Sequence, residues 1–208
     1  GNRHFVQETL PKWLRILRLL PQGVPIWNPS SLISNGFVEY PVRTTGVDSS
    51  RFIYLPDLIQ AQTLYFLRVY PRYNGPSERR PLTVRSYNDF SLLQRTLHPR
   101  GCEAASPSVL IIERKRTRSW NDHANIVRSI TQIVNGSGLV VESRNVGRAS
   151  VYDDACAFAR ARIVFAAHGA ALANIILCSS NTTVVEVGYL SGMPVPQIYF
   201  DQVRFLGL

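Results

Sequence analysis

From Pro107 onward the chain alternates short apolar runs with amphipathic stretches, and this alternation narrows its possible folds more than any other feature. Val109, Leu110, Ile111 and Ile112 form an unbroken apolar run, the mark of a parallel strand buried on both faces. Asn121 is placed to cap a helix through Ile126, Val127, Ile130 and Ile133 that stops at Asn135-Gly136. Leu139-Val140-Val141 reads as a second strand. Ser150 precedes a helix reaching about Ala161, with Asp153 three positions on as the acid of a capping box. Residues 162–166 form a third strand, residues 168–173 turn into a helix, and residues 183–187 form a fourth strand. Strands and helices alternating at these lengths predict a doubly wound parallel sheet.

The first 106 residues are less regular. Phe5, Val6, Leu10, Trp13, Leu14 and Leu17 recur at helical spacing, and Pro21 ends the pattern. Residues 22–54, rich in Pro, Gly, Ser and β-branched residues, read as short strands and loops, and residues 58–69 as a helix or extended segment. Pro71, Gly75, Pro76 and Pro81 mark a loop or linker. Residues 87–97 read as a further helix, followed by a linker-like stretch to Pro107. The expected division is a partial first lobe with its linker over residues 1–106 and a second lobe over 107–208. Gly1 in place of Met reads as the start of a fragment.

Composition sets bounds on partners. With 45% hydrophobic residues in 208, a sizeable core can form. The net charge is +9, and of 23 basic residues only Lys12 and Lys115 are lysines. Arginine presents a planar fork suited to phosphate and carboxylate, which favours a phosphorylated partner. Nucleic acid is not expected, because the basic tract at Arg114, Lys115, Arg116 and Arg118 is short and lacks interleaved aromatics. No run approaches the roughly 18 apolar residues of a spanning helix, so no membrane contact is expected within this segment. Cys102, Cys156 and Cys178 allow one internal disulfide and match no zinc spacing. Asn135-Gly136-Ser137 and Asn181-Thr182-Thr183 are N-glycosylation triplets, which permit a secretory location.

The chemistry concentrates around His168. It stands with Gly169 at the carboxyl end of a strand, where the next helix begins and where doubly wound sheets bind ligands. A helix start exposes unpaired N–H groups and partial positive charge, a seat for a diphosphate. No Gly-x-Gly-x-x-Gly follows a strand, which argues against a dinucleotide enzyme.

His168-Gly169-Ala170-Ala171-Leu172-Ala173-Asn174 resembles the His-Gly-Ala-Gly-Leu-Thr-Asn signature of glycosyltransferase family 61, which includes plant xylosyltransferases and animal transferases that add N-acetylglucosamine to proteins. The strand ending in Glu186 fits the glutamate that follows that signature, and Arg114, Arg118 and Asn121 are similar to a second family hallmark. The segment holding Asn2, His4, Phe5, Glu8, Leu10 and Pro11 resembles a third. Two departures stand out: Ala171 replaces a usual glycine, which narrows the approach to the phosphates, and Asp153-Asp154 replaces Glu-Gln.

The resemblance implies a two-lobed GT-B architecture, with Rossmann-like lobes and a donor site in the cleft. The implied activity is inverting transfer of N-acetylglucosamine, xylose or arabinose from a UDP-sugar to a glycoprotein or polysaccharide hydroxyl, in the Golgi or endoplasmic reticulum lumen. UDP-sugar is a co-substrate, and neither cofactor nor metal is expected. Arg114 and Arg118, with the backbone at His168, Gly169 and Ala170, are the candidates for the diphosphate. Glu186 suits ribose hydroxyls, and Asn174 either orients the nucleotide or bonds local backbone. His4 and Glu8 lie four apart, on one face of a helix, and either suits the base that takes the acceptor proton, with the other orienting it; Glu8 is the first candidate. Asp153-Asp154 reads as a helix cap rather than a metal site. The alternative is a catalytically inactive relative that binds nucleotide-sugar or glycan.

Overall fold

The computed structural model describes residues 10–17, 19–27, 44–53, 62–63, 87–102, 105–114, 119–148, 150–188 and 198–208. The elements are α1 (Leu10–Leu17), the short strands β1 (Ile26–Trp27) and β2 (Phe52–Ile53), α2 (Tyr87–Leu97), β3 (Ser108–Ile112), α3 (His123–Ile133), β4 (Val140–Arg144), α4 (Val151–Arg160), β5 (Ala161–Ala167), a 3-10 helix (Ala170–Leu177), β6 (Thr183–Val187) and α5 (Ile198–Leu206). No described helix is long and apolar enough to cross a membrane.

Every residue of β3 is buried, as its apolar run requires, and β3 lies inside a four-stranded parallel sheet of order β4-β3-β5-β6. Val109 sits opposite Val141 on one side and Ile163 on the other, and Val164 sits opposite Val184. From β3 the chain steps outward to β4, then returns past β3 to β5 and continues to β6. Right-handed crossovers in opposite directions put α3 and α4 on opposite faces, so the sheet is doubly wound. The α/β class and the parallel sheet thus match the sequence reading.

The two faces are covered unequally. Leu110, Ile112, Val164 and Ala166 join one core with Phe158 of α4, Leu172, Ile175 and Ile176 of the 3-10 helix, and Tyr199 of α5. Leu10 and Leu14 of α1 and Phe90 and Leu93 of α2 belong to the same core, and Phe90 stacks on Phe205 at 5.8 Å. Ala155, Ala157, Ala161, Ala166 and Ala173 are buried here, and their small side chains let backbones approach closely. On the opposite face α3 buries no residue fully.

Three local expectations change. The cap of α3 is Asp122, not Asn121: its carboxylate accepts from the Asn125 N–H at 3.2 Å, and an anion at a helix start is favoured over a neutral amide. The second strand extends to Arg144 rather than stopping at Val141, because β4 is an edge strand and its polar residues need no apolar run. The turn after His168 continues as a 3-10 helix. The expected cap of α4 is present, with Ser150 Oγ accepting from the Asp153 N–H at 3.0 Å and donating to its carboxylate at 2.7 Å. The expected segment at 58–69 falls, except for residues 62–63, outside the described residues, as does the loop at 71–81.

Polar ties fasten β4 to α4. Glu142 accepts from Arg144 and from Arg160, the latter at 3.2 Å. Buried Asp154 accepts from Arg144 at 3.1 Å and from the Gly147 N–H at 2.7 Å. Burial works against the charge on Arg144, but hydrogen bonds to Glu142 and Asp154 prevail and raise its pKa. Asp154 is thus a structural clamp. Cys102 and Cys156 form a disulfide across a separation of 54 residues, fixing the approach to β3 against α4. Cys178 is unbridged and buried, and burial pushes its thiol pKa up despite a hydrogen bond with Thr182. A Cys102→Ala/Cys156→Ala double variant is expected to lose about 4 kcal/mol of stability from the released loop entropy. Urea unfolding measures the loss, and reductant is expected to bring the parent protein to the variant's midpoint.

Candidate functional site

Because the chain leaves β3 and β5 in opposite directions, their carboxyl ends flank a crevice, the switch point at which such sheets bind ligands. Arg114, two residues past β3, and His168, the first residue past β5, meet there. The Arg114 Nη1–H donates to the His168 carbonyl at 3.0 Å. Trp120 steadies the same exit from β3, donating from Nε1 to the Ile112 carbonyl at 3.0 Å and stacking on Phe165 of β5 at 5.3 Å.

Gly169 is dictated by this contact. A Cβ there would lie 1.9 Å from Arg114 Nη1 and 2.9 Å from Cζ. Its φ of 162° is extended backbone that any residue adopts, so the requirement is space.

Strand alternation carries His168 and Glu186 to the core side of the sheet, beyond Ala166 and Val184. His168 is buried, and its N–H continues the ladder to the Val187 carbonyl at 2.9 Å. Its Nδ1 lies 2.5 Å from Glu186 Oε1. An ionised carboxylate only accepts, which assigns the ring proton to Nδ1. The Tyr199 ring packs against the imidazole at 5.4 Å, tilted by 57°. Glu186 is the penultimate residue of β6.

The 3-10 helix starts at Ala170 with no side-chain cap, and the Leu172 N–H bonds back to the Gly169 carbonyl at 3.0 Å. The N–H groups of Ala170 and Ala171 have no backbone acceptor among the described residues. The Ala171 methyl, set by the sequence against the approach of phosphates, packs against the core. Asn174 donates to the Ala171 carbonyl at 3.1 Å, the local bond that was one of its two readings.

The structure therefore brings together Arg114, His168, Gly169, Ala170 and Glu186, with Asn174 bracing the turn. His4, Glu8 and Arg118 lie outside the described residues. Sequence reasoning missed Tyr199 and Trp120. The recurrence of Tyr199, Val203 and Leu206 on one helical face was the available signal for the first.

The four-stranded all-parallel sheet, with its order reversing between β3 and β5, is compatible with a Rossmann-like domain. The family model described as Glycosyltransferase 61 matches residues 3–185, most of the chain, and the protein belongs to that family. The match takes in all the candidate residues but Glu186, which lies one position beyond it. No curated protein matches the chain.

A Gly169→Ala variant is expected to displace the Arg114 guanidinium, which ends a flexible side chain, and to cost about 1–3 kcal/mol through the lost charge-assisted bond to His168. In an Arg114→Ala background the same change is expected to cost almost nothing. Denaturant unfolding of the four proteins of this double-mutant cycle measures the coupling.

Proposed function

We propose that the protein is an inverting glycosyltransferase that binds a UDP-sugar at the β3/β5 switch point. The observation that carries this reading is the junction of Arg114, the His168 carbonyl and Gly169, beside the N–H groups of Ala170 and Ala171, which have no backbone acceptor among the described residues. Arg114 keeps further N–H donors after bonding His168, and these point chemistry toward a diphosphate. Breaking the sugar–diphosphate bond builds negative charge on the leaving UDP, and fixed donors aimed at that charge lower the barrier. Arg118 adds a second guanidinium in this scheme, and no metal is required. His168 occupies one oxygen of Glu186, leaving Oε2 for a ribose hydroxyl. Asn174 braces the backbone of the phosphate turn.

Glu8 is the base in this proposal, oriented by His4. It takes the proton of the acceptor hydroxyl as that oxygen forms a bond to the anomeric carbon and the bond to UDP breaks, inverting the centre. In this reading residues 1–106 hold a partial acceptor-side lobe with its linker, α1 and α2 packing on the core of the donor lobe formed by 107–208 of a GT-B pair, with N-acetylglucosamine, xylose or arabinose as the sugar and a protein or glycan hydroxyl as acceptor. The Cys102–Cys156 disulfide supports an oxidising compartment, in keeping with the Golgi or endoplasmic reticulum lumen.

Calorimetric titration of the purified chain with UDP tests the donor site. The expected result is micromolar binding that survives EDTA and weakens at least roughly tenfold in both Arg114→Ala and His168→Ala. A folded parent chain that gives no binding overturns the reading. Binding without transfer to any acceptor favours an inactive relative.

A further inference from the structure

A second concavity of about 670 Å³ lies away from the switch point, and none of Arg114, His168, Gly169 or Glu186 lines it. Its size falls in the range of small-ligand pockets. Leu14 and Leu17 of α1 and Val47 of the turn at residues 44–47 give it an apolar side. Arg95 at the end of α2 and Arg100 just beyond it are exposed and supply two guanidiniums. Neither has a hydrogen-bonding or ion-pairing side-chain partner among the described residues, and no described aspartate or glutamate lines the pocket.

The remaining polar groups select a more complex ligand than a bare anion. Thr96 donates its hydroxyl proton to the Leu92 carbonyl at 2.7 Å, so toward the pocket it can only accept. Tyr152 donates to the Arg100 carbonyl at 2.6 Å while 45% of the residue stays exposed, which leaves an aromatic surface in the pocket wall. The Cys102–Cys156 disulfide adjoins this contact and holds the Arg100 segment to α4. The wall is therefore organised before any ligand arrives.

We propose that this pocket binds an anionic sugar, a pyranose bearing a carboxylate or a phosphate. The guanidiniums take the anion, Thr96 accepts from a ring hydroxyl, and Tyr152 with the leucines faces the C–H side of the ring. The site is separate from the UDP-sugar site and stands whether or not that reading holds.

The test is ligand-detected NMR and calorimetry on the whole chain with glucuronate, a glucose phosphate and neutral glucose. At least one anionic sugar is expected to bind while glucose does not; whichever of the two binds identifies the anion. Arg95→Ala and Arg100→Ala are each expected to weaken binding roughly tenfold, and Arg114→Ala to leave it unchanged. Both replaced arginines are exposed, and circular dichroism verifies that the variants are folded. The proposal is overturned if the folded parent binds neither anionic sugar, if glucose binds equally well, if the Arg95→Ala/Arg100→Ala double variant binds as the parent does, or if Arg114→Ala abolishes binding.

Discussion

The hydrogen bond from Arg114 to the His168 carbonyl joins the ends of two strands that the chain leaves in opposite directions. At a switch point the loops diverge, and nothing in the sheet itself fixes their separation. One guanidinium bridges them here, beside the stack of Trp120 on Phe165. The guanidinium contact requires a residue without a Cβ at 169 and takes up the His168 carbonyl, while the Ala170 and Ala171 N–H groups beside it have no backbone acceptor among the described residues. Glu186 and Tyr199 hold the same residue from the core side, so His168 is fixed through its backbone and its ring together.

Around this junction the fold is built by close approach rather than by bulk. Alanines line the contact of α4 and the 3-10 helix with the sheet, and large side chains from α1, α2 and α5 close the outer layer. The first helices therefore pack on the core that supports the site. Where apolar packing thins, at the β4 edge, the ties become ionic, through Glu142, Arg144, Asp154 and Arg160.

The interior was the most legible part of the sequence. The run from Val109 to Ile112 reads as a buried parallel strand because both its faces are covered, and Ser150 with Asp153 reads as a cap because the interaction is local. The far end of β4 was not legible: Glu142 and Arg144 are polar residues on an edge, and only pairing with β3 makes them strand. Asn121 and Asp122 are adjacent and both suited to capping, so residue type alone does not separate them. At the site, Arg114 and His168 were legible one at a time as residues at strand ends. Their contact spans 54 positions and follows only from strand order. Glu186 was legible as a carboxylate near the crevice but not as the partner of His168, since that depends on the β5/β6 register.

Because all four strands point the same way, the sheet sorts its connections onto two opposite rims. Loops that leave strands build the crevice, and loops that enter them gather at the other rim. Asn135 lies in the exposed turn entering β4, and Asn181, with a φ of 75°, in the exposed turn entering β6. Both potential carbohydrate attachment points thus sit on the rim away from the crevice. A glycan chain on either would extend from the back of the sheet, shielding that surface while leaving the crevice clear.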